Sequence, residues 1–402
     1  MRPLHFYLLG TGSWFLSFGI QSVMFAWLVT MVLEEAPKMV GIAQMALLLP
    51  TMLLMLVGGS LADHYGGRRV AMWGHVAAST APLFLTIMVL LGQLTYSTII
   101  VFAVMMGCAQ AMVTPSRDGL LGLVAEGRIQ RRVMQTSMIQ FGVQMLGFIT
   151  AGFAERVGAS TVLLAQSCLL LIGALAWFKL DVPYQRPARL THGIATQIRV
   201  SIVEGFLTVR ESPFMRAVVI QNCAMGIFFM GSYIVSLPLV VRDVYGGSST
   251  ELSWMNAANS MGMVLTILLL LRFGDLHKQG RALLISQSAG AVALAGAGLG
   301  LGFPSLIAFI FCWGICGGVG MTMARTIMQE LSPPNQRARM MAFFSFSFMG
   351  SGPLGALMNG YLCDWLGPTR ALLVASSSMF AVLAAVALGT RLWQLDATPQ
   401  AA

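Results

Sequence analysis

Two arginines, Arg117 and Arg325, stand inside otherwise apolar stretches, 208 residues apart. A guanidinium within a membrane-spanning helix is costly, so it normally faces a protein-lined or hydrated interior. There it can grip an anion through forked hydrogen bonds or pair with a carboxylate. Each arginine has polar companions at helical spacing. Gln110, Thr114 and Arg117 fall at i, i+4 and i+7, and Thr322, Arg325 and Gln329 at i, i+3 and i+7, so each set shares one helix face. Ser13, Ser17 and Gln21 form a third stripe, and Gln221, Asn222, Tyr233, Ser236, Asn256 and Asn259 add polar atoms to two further apolar runs. Side chains of this kind either line a path for a small molecule or hydrogen-bond helix to helix. Both readings stay open for each stripe.

The elements that position these groups are apolar helices. The chain has 402 residues, of which 57% are hydrophobic and only 10% charged, with a mean hydropathy of +0.77. A soluble domain carries about 25% charged residues, so soluble folding is excluded. A span needs about 20 apolar residues. Charged and turn-rich breaks predict twelve, over 6–33, 39–62, 70–92, 97–122, 133–154, 159–180, 214–240, 250–272, 281–302, 304–331, 340–362 and 370–390. The first run is too long for a cleavable signal and reads as a retained span. With the N-terminus inside, 18 of the 24 Lys and Arg residues fall on the cytoplasmic side, four outside, and two, Arg117 and Arg325, within spans. That asymmetry places both termini in the cytoplasm. It also accounts for the isoelectric point of about 9.6 without nucleic acid as a partner, for which no basic run interleaved with aromatics exists.

One long connection divides the chain into an N-terminal six-helix bundle (1–180), a cytoplasmic linker (181–213) and a C-terminal six-helix bundle (214–402). In the linker, Ile194, Ile198, Ile202 and Phe206 recur every four residues, which predicts an amphipathic helix on the inner membrane surface. The halves repeat at an offset of 208: Cys108 pairs with Cys316, Thr114 with Thr322, Arg117 with Arg325, Arg131 with Arg339 and Gly142 with Gly350. Duplicated bundles related across the membrane normal are a known transporter plan. The six cysteines all lie in or beside apolar runs with no metal or redox spacing, and the five histidines are spread too widely for a metal site, so no metal or cofactor is expected.

After the second span comes Gly59-Ser60-Leu61-Ala62-Asp63-His64-Tyr65-Gly66-Gly67-Arg68-Arg69, where small residues, an acid, a glycine turn and a basic pair follow in order. A weaker echo, Gly274-Asp275 to Gly280-Arg281, follows the eighth span. This loop resembles the G-x-L-A-D-x-x-G-[RK]-[RK] loop of the major facilitator superfamily, matching at Gly59, Leu61, Ala62, Asp63, Gly66 and Arg68 and differing at His64 and Gly67. With the twelve spans, the linker and the repeat, the resemblance extends over essentially the whole chain. It implies an all-α integral membrane fold of two six-helix bundles related by pseudo-two-fold symmetry, rocking about a cavity lined by spans one, four, seven and ten. The stripes containing Ser17 and Gln21, Gln110 and Thr114, Asn222 and Tyr233, and Thr322 and Gln329 fall on those spans, with Asn256 on the eighth. Within the superfamily the chain is similar to drug and siderophore exporters related to the enterobactin exporter, through Thr114-Pro115-Ser116-Arg117, Glu204-Gly205-Phe206, Ser236-Leu237-Pro238 and Arg242-Asp243-Val244. The fifth span keeps glycines at 147 and 152 but lacks the exporters' proline, whereas the eleventh reads Gly350-Ser351-Gly352-Pro353-Leu354-Gly355.

The resemblance implies a single-chain carrier in a bacterial inner membrane, exporting a small amphiphilic or anionic organic molecule in exchange for protons. Arg117 is either an anion site or a gate pairing with Asp63 or Asp118, and Arg325 with Glu330 is weighed the same way. No acid lies at a midplane; Asp118 and Glu330 come nearest and are the candidate proton carriers. Uptake or flipping of a lysophospholipid-like molecule is an alternative. So, from other classes, are an integral-membrane enzyme, which would need clustered His or acid ligands, and a passive channel, which would want an oligomeric charged ring.

Overall fold

Proline and glycine cut the apolar runs into helices. The computed structural model describes residues 3–124, 129–181, 207, 209–273, 278–332 and 337–395. Along them run α1 (Pro3–Trp27, continued by a π-helical turn over Leu28–Val32), α2 (Pro37–Tyr65), α3 (Gly67–Leu90), α4 (Tyr96–Val124), α5 (Ile129–Gly152) and α6 (Ala159–Lys179). After the linker come α7 (Pro213–Asp243), α8 (Ser249–Phe273), α9 (Gln279–Ala297), α10 (Phe303–Leu331), α11 (Arg337–Leu366) and α12 (Pro368–Gly389). No strand occurs among the described residues. Nine of these helices, α1–α4, α6–α8, α10 and α12, are long and apolar enough there to cross a membrane. In α5, α9 and α11, glycine, serine and glutamine dilute the apolar run. The chain is an all-α integral membrane protein. The amphipathic stripe expected in the linker and the acid Asp275 lie outside the described residues.

Helix boundaries have local causes. Pro37 opens α2 at a position where its missing N–H costs nothing. Gly66 alone separates α2 from α3, at φ +88°, a conformation that a Cβ would strain. The one-residue turn brings the basic pair of the loop directly onto the first turn of α3.

The chain forms two compact units. The first holds 1–36, 43–194 and 246–257, and the second 37–42, 195–245 and 258–402. In the first, α1 packs on α5 and α6, and α3 on α4 and α6; in the second, α9 packs on α10 and α12, and α11 on α7. Lipid offers no hydrophobic drive for such contacts, so they rest on close approach of small residues. Gly19 lies against the Gln144 carbonyl and Gly147, and Gly147 against the Leu16 carbonyl; a Cβ at either would collide with backbone. In the second unit Gly355 meets the carbonyls of Gly226 and Ile227 in the same way. Gly147 and Gly355 are 208 residues apart, the offset of the sequence repeat.

The ends of two helices group with the unit opposite to the rest of their length. Within the second unit the start of α2 seats Gly41 on the Ala356 carbonyl and Gly360. Within the first unit the start of α8 hydrogen-bonds to the last turn of α5, Ser249 and Thr250 donating to the Gly152 carbonyl (3.3 and 3.0 Å) and Ser253 to that of Phe148 (2.8 Å).

Candidate functional site: the arginine nest and the loop beside it

Arg117 lies in α4 two residues after Pro115. A proline inside a helix cannot donate to the carbonyl four residues back, here that of Ala111. Gly58 of α2 sits against that carbonyl, where a Cβ would collide. The proline therefore makes room for close α2–α4 packing one turn before the cation. Arg117 is 8% exposed. Its Nε and Nη2 donate to Asp118 Oδ1 (3.0 and 2.8 Å), and its guanidinium carbon stands 4.7 Å from the centre of the Phe15 ring of α1. Its backbone carbonyl accepts from the hydroxyl of Tyr7 (3.3 Å). A mostly buried cation is thus held between an aromatic face and a carboxylate whose own side chain is 62% exposed. The Asp118 end of the pair is open to solvent or ligand.

The loop motif packs onto this same stretch of α4. Gly59 approaches Pro115, and Gly67 approaches the Ser116 carbonyl and Leu120. Leu61 is half-buried and Asp63 exposed. Of the two carboxylates weighed for Arg117, Asp118 takes it, and Asp63 forms no ion pair among the described residues. Arg68 reaches a different partner: its Nη2 donates to the Phe178 carbonyl at the end of α6 (2.9 Å). The second unit repeats this arrangement. Arg281 Nε donates to the Trp393 carbonyl (3.3 Å), just beyond α12, and its guanidinium lies 5.5 Å from the Trp393 ring centre. In the first unit the loop cation holds a carbonyl oxygen at the C-terminal end of the last helix, the end that favours positive charge, and in the second it holds one in the short turn that follows the last helix.

The polar stripes divide. Ser17 and Gln21 are buried, and Gln166 of α6 donates to the Ser17 carbonyl (3.4 Å), so part of this stripe meets another helix. Gln110 and Thr114 are half-buried on α4. Asn222 Nδ2 donates to the Phe344 carbonyl and to Ser347 Oγ (both 2.8 Å), fastening α7 to α11. Tyr233 stacks obliquely on Trp313 of α10, ring centres 5.8 Å apart. Asn256 donates to its own helix at Leu252 (2.7 Å) and groups with the first unit. Thr322 donates back to Gly318 (2.8 Å). Arg325, Gln329 and Glu330 are exposed, and Glu330 Oε1 accepts from Gln279 (3.4 Å). The two arginines that match in sequence therefore differ in surroundings: Arg117 is enclosed and paired, Arg325 open.

The family model described as transmembrane secretion effector, within the major facilitator superfamily, matches residues 4–402. The chain belongs to this family. The multidrug efflux pump Tap of Mycolicibacterium fortuitum is 24% identical over 388 residues, 94% of this chain and 93% of that one. An uncharacterised transporter of the superfamily, YfiS of Bacillus subtilis (strain 168), is 23% identical over 362 residues, 85% of this chain and 82% of its own length. An auto-inhibited peptide transporter of the POT family shares the fold at a TM-score of 0.75 and 13% identity, over 100% of this chain and 99% of that structure.

Other polar groups of this transporter carry structure that residue spacing alone did not single out. His75 of α3 is fully enclosed: its Nδ1 lies 2.8 Å from the Ala71 carbonyl, and Nε2 accepts from Trp177 Nε1 of α6 (3.2 Å). Only the Nδ1–H tautomer serves both contacts. Trp14 and Trp177 flank the ring, at centre distances of 5.1 and 5.9 Å. In the second unit Gln221 donates to Gln287 Oε1 (2.6 Å). Asn359 of α11, 0% exposed, bonds to α7 on both sides of its carboxamide. Histidine and amide groups within apolar spans were the available signal, since each must find a partner there.

Proposed function

We propose that this transporter works by alternating access, two six-helix bundles in turn exposing a central path, and exports a small amphiphilic or anionic organic molecule such as a drug or siderophore in exchange for protons. The observation that carries this reading is the enclosed Arg117 beside the loop motif, paired with an acid whose other face is open. A buried guanidinium costs free energy that a purely structural helix would avoid. Asp118 offers a group that can exchange a proton and at the same time release or hold the arginine. The similarity to a protein named a multidrug efflux pump, and to one named a multidrug resistance protein, supports export. The excess of Lys and Arg in the loops assigned to the inside supports an inner-membrane protein with both termini in the cytoplasm. On this reading α5, α9 and α11 also cross, giving twelve spans, a single chain completes the path, and the bilayer and the transported molecule are the partners.

The test uses everted vesicles from cells producing the protein, an imposed pH gradient, and ethidium and salicylate as cationic and anionic probes. Gradient-driven accumulation of either probe above that of empty-vector vesicles is expected. Asp118→Asn should abolish the gradient-driven part while leaving probe-for-probe exchange. No accumulation of either probe, or full gradient drive with Asp118→Asn, would sink the reading as stated.

A further inference from the structure

α7 is not a regular α-helix through its middle. Met225–Met230 and Ser232–Ser236 are π-helical, with Gly231 between them. Each wide turn closes its hydrogen bonds over one more residue than an α-turn does, and such segments are short because little holds them. Here something does. Asn359 of α11 faces both segments, and every hydrogen-bonding position of its carboxamide is occupied. Oδ1 accepts from Ser232 Oγ (3.1 Å) and Ser236 Oγ (3.0 Å). Nδ2 donates to the Ile227 carbonyl, inside the first wide segment (3.2 Å), and to the Gly355 carbonyl of its own helix (2.9 Å). Reversing the amide would set an oxygen against two carbonyl oxygens, so its orientation is dictated. Cys363, one turn on, donates to Ser236 Oγ (3.3 Å) and extends the chain of bonds.

The backbone around it is cut to fit. A Cβ on Gly231 would strike Asn359 Nδ2 and the Gly355 carbonyl. Serines in helices commonly donate to the carbonyl a turn back, but Ser232 and Ser236 donate across to Asn359. The duplicated half lacks the amide. At the repeat offset Asn359 corresponds to Ala151, and α1 is regular α-helix across the positions matching Met225–Met230 and Ser232–Val235, with a single π-helical turn that begins only at Leu28. The paired wide segments held by an amide therefore belong to α7 and not to the bundle plan as such. The wide turns also set which way the later residues of α7 point, and among these Phe229 and Tyr233 meet Trp313 at ring-centre distances of 5.6 and 5.8 Å.

We infer that Asn359 is a positioning residue that holds α7 in its wide-turn form and so fixes the direction in which Tyr233 and the residues after it face. In apolar surroundings an unpartnered carbonyl is costly; without the amide, α7 tightens to α-helical turns that need no outside donor. Losing the extra residue of one wide segment turns the helix beyond it by about 100°, and losing those of both by about 200°. The inference rests on the geometry of α7 and stands whether or not the export reading does.

The experiment is a scan of single cysteines across 213–243, in the full-length protein with its six native cysteines replaced, labelled with a membrane-permeant maleimide in wild-type and Asn359→Leu backgrounds. The labelled stripe over 213–224 should be unchanged, while the stripe over 237–243 shifts by about 100° around the helix for each wide segment that tightens, about 200° when both do. The smaller Asn359→Ala is used in parallel, so that a poorly folding Leu variant does not decide the matter. A monodisperse variant whose stripe keeps its wild-type register on both sides of Gly231 would overturn the inference. So would a shift of equal size before Met225.

Discussion

At the scale of single residues the transporter meets the cost of polarity in an apolar setting by pairing. Arg117 has Asp118 and the face of Phe15, His75 has a carbonyl and an indole N–H, and Gln221 has Gln287. The His75 arrangement yields a direct prediction. Trp177→Phe keeps an aromatic ring beside Tyr7 and His75 but removes the donor to Nε2. An enclosed acceptor left without its partner costs about 1–3 kcal/mol, so the unfolding midpoint in detergent should fall by several degrees. An unchanged midpoint would mean that another donor reaches His75. The residue scale is also where the sequence misleads by symmetry. Arg117 and Arg325 match in spacing, yet only Arg117 is enclosed and paired: its acid Asp118 is the next residue, where Arg325 is followed by Thr326, while the Phe15 ring that covers it comes from another helix and leaves no trace in the local pattern.

At the scale of elements, hydropathy and breaks in charge locate the helices well. Cut points at Pro37, Gly66, Pro213 and Gly367 are legible because proline and glycine act through the local backbone. The wide turns of α7 are not legible, since Asn359, 123 residues after Ser236, helps to hold them. The seams between helices are legible in part. Gly142 and Gly147 look alike in sequence, but a Cβ at 142 meets open space and one at 147 meets the backbone of α1. Gly142→Ala should leave stability level or raise it by up to about 1 kcal/mol, the usual gain inside a helix. Gly147→Ala should cost about 1–3 kcal/mol by forcing α1 and α5 apart. Thermal unfolding of the two purified variants checks the contrast, and equal midpoints would refute the seam.

At the scale of the whole molecule, the two halves repeat features far apart in the chain. Gly147 and Gly355, at the repeat offset, pack alike, and the loop cations Arg68 and Arg281, 213 residues apart, each hold a carbonyl at or just past the end of a last helix. The duplication visible in scattered identities is thus a duplication of contacts. Charge asymmetry adds the prediction about orientation. Cysteines placed at Arg2 and at Gln400 should react with a membrane-impermeant maleimide only after the cytoplasmic face is opened, whereas one at Lys38 should react in intact cells. Reaction of either terminal cysteine in intact cells would reverse the assigned orientation.

The glycine seam between α1 and α5 has an evolutionary corollary. Where backbone touches backbone, the joint is specified by the absence of side chains, and the many outward-facing positions carry no information about it. Such a bundle can drift at most of its letters while its helices keep their places. Shared architecture at a TM-score of 0.75 with 13% identity is what that economy of specification permits.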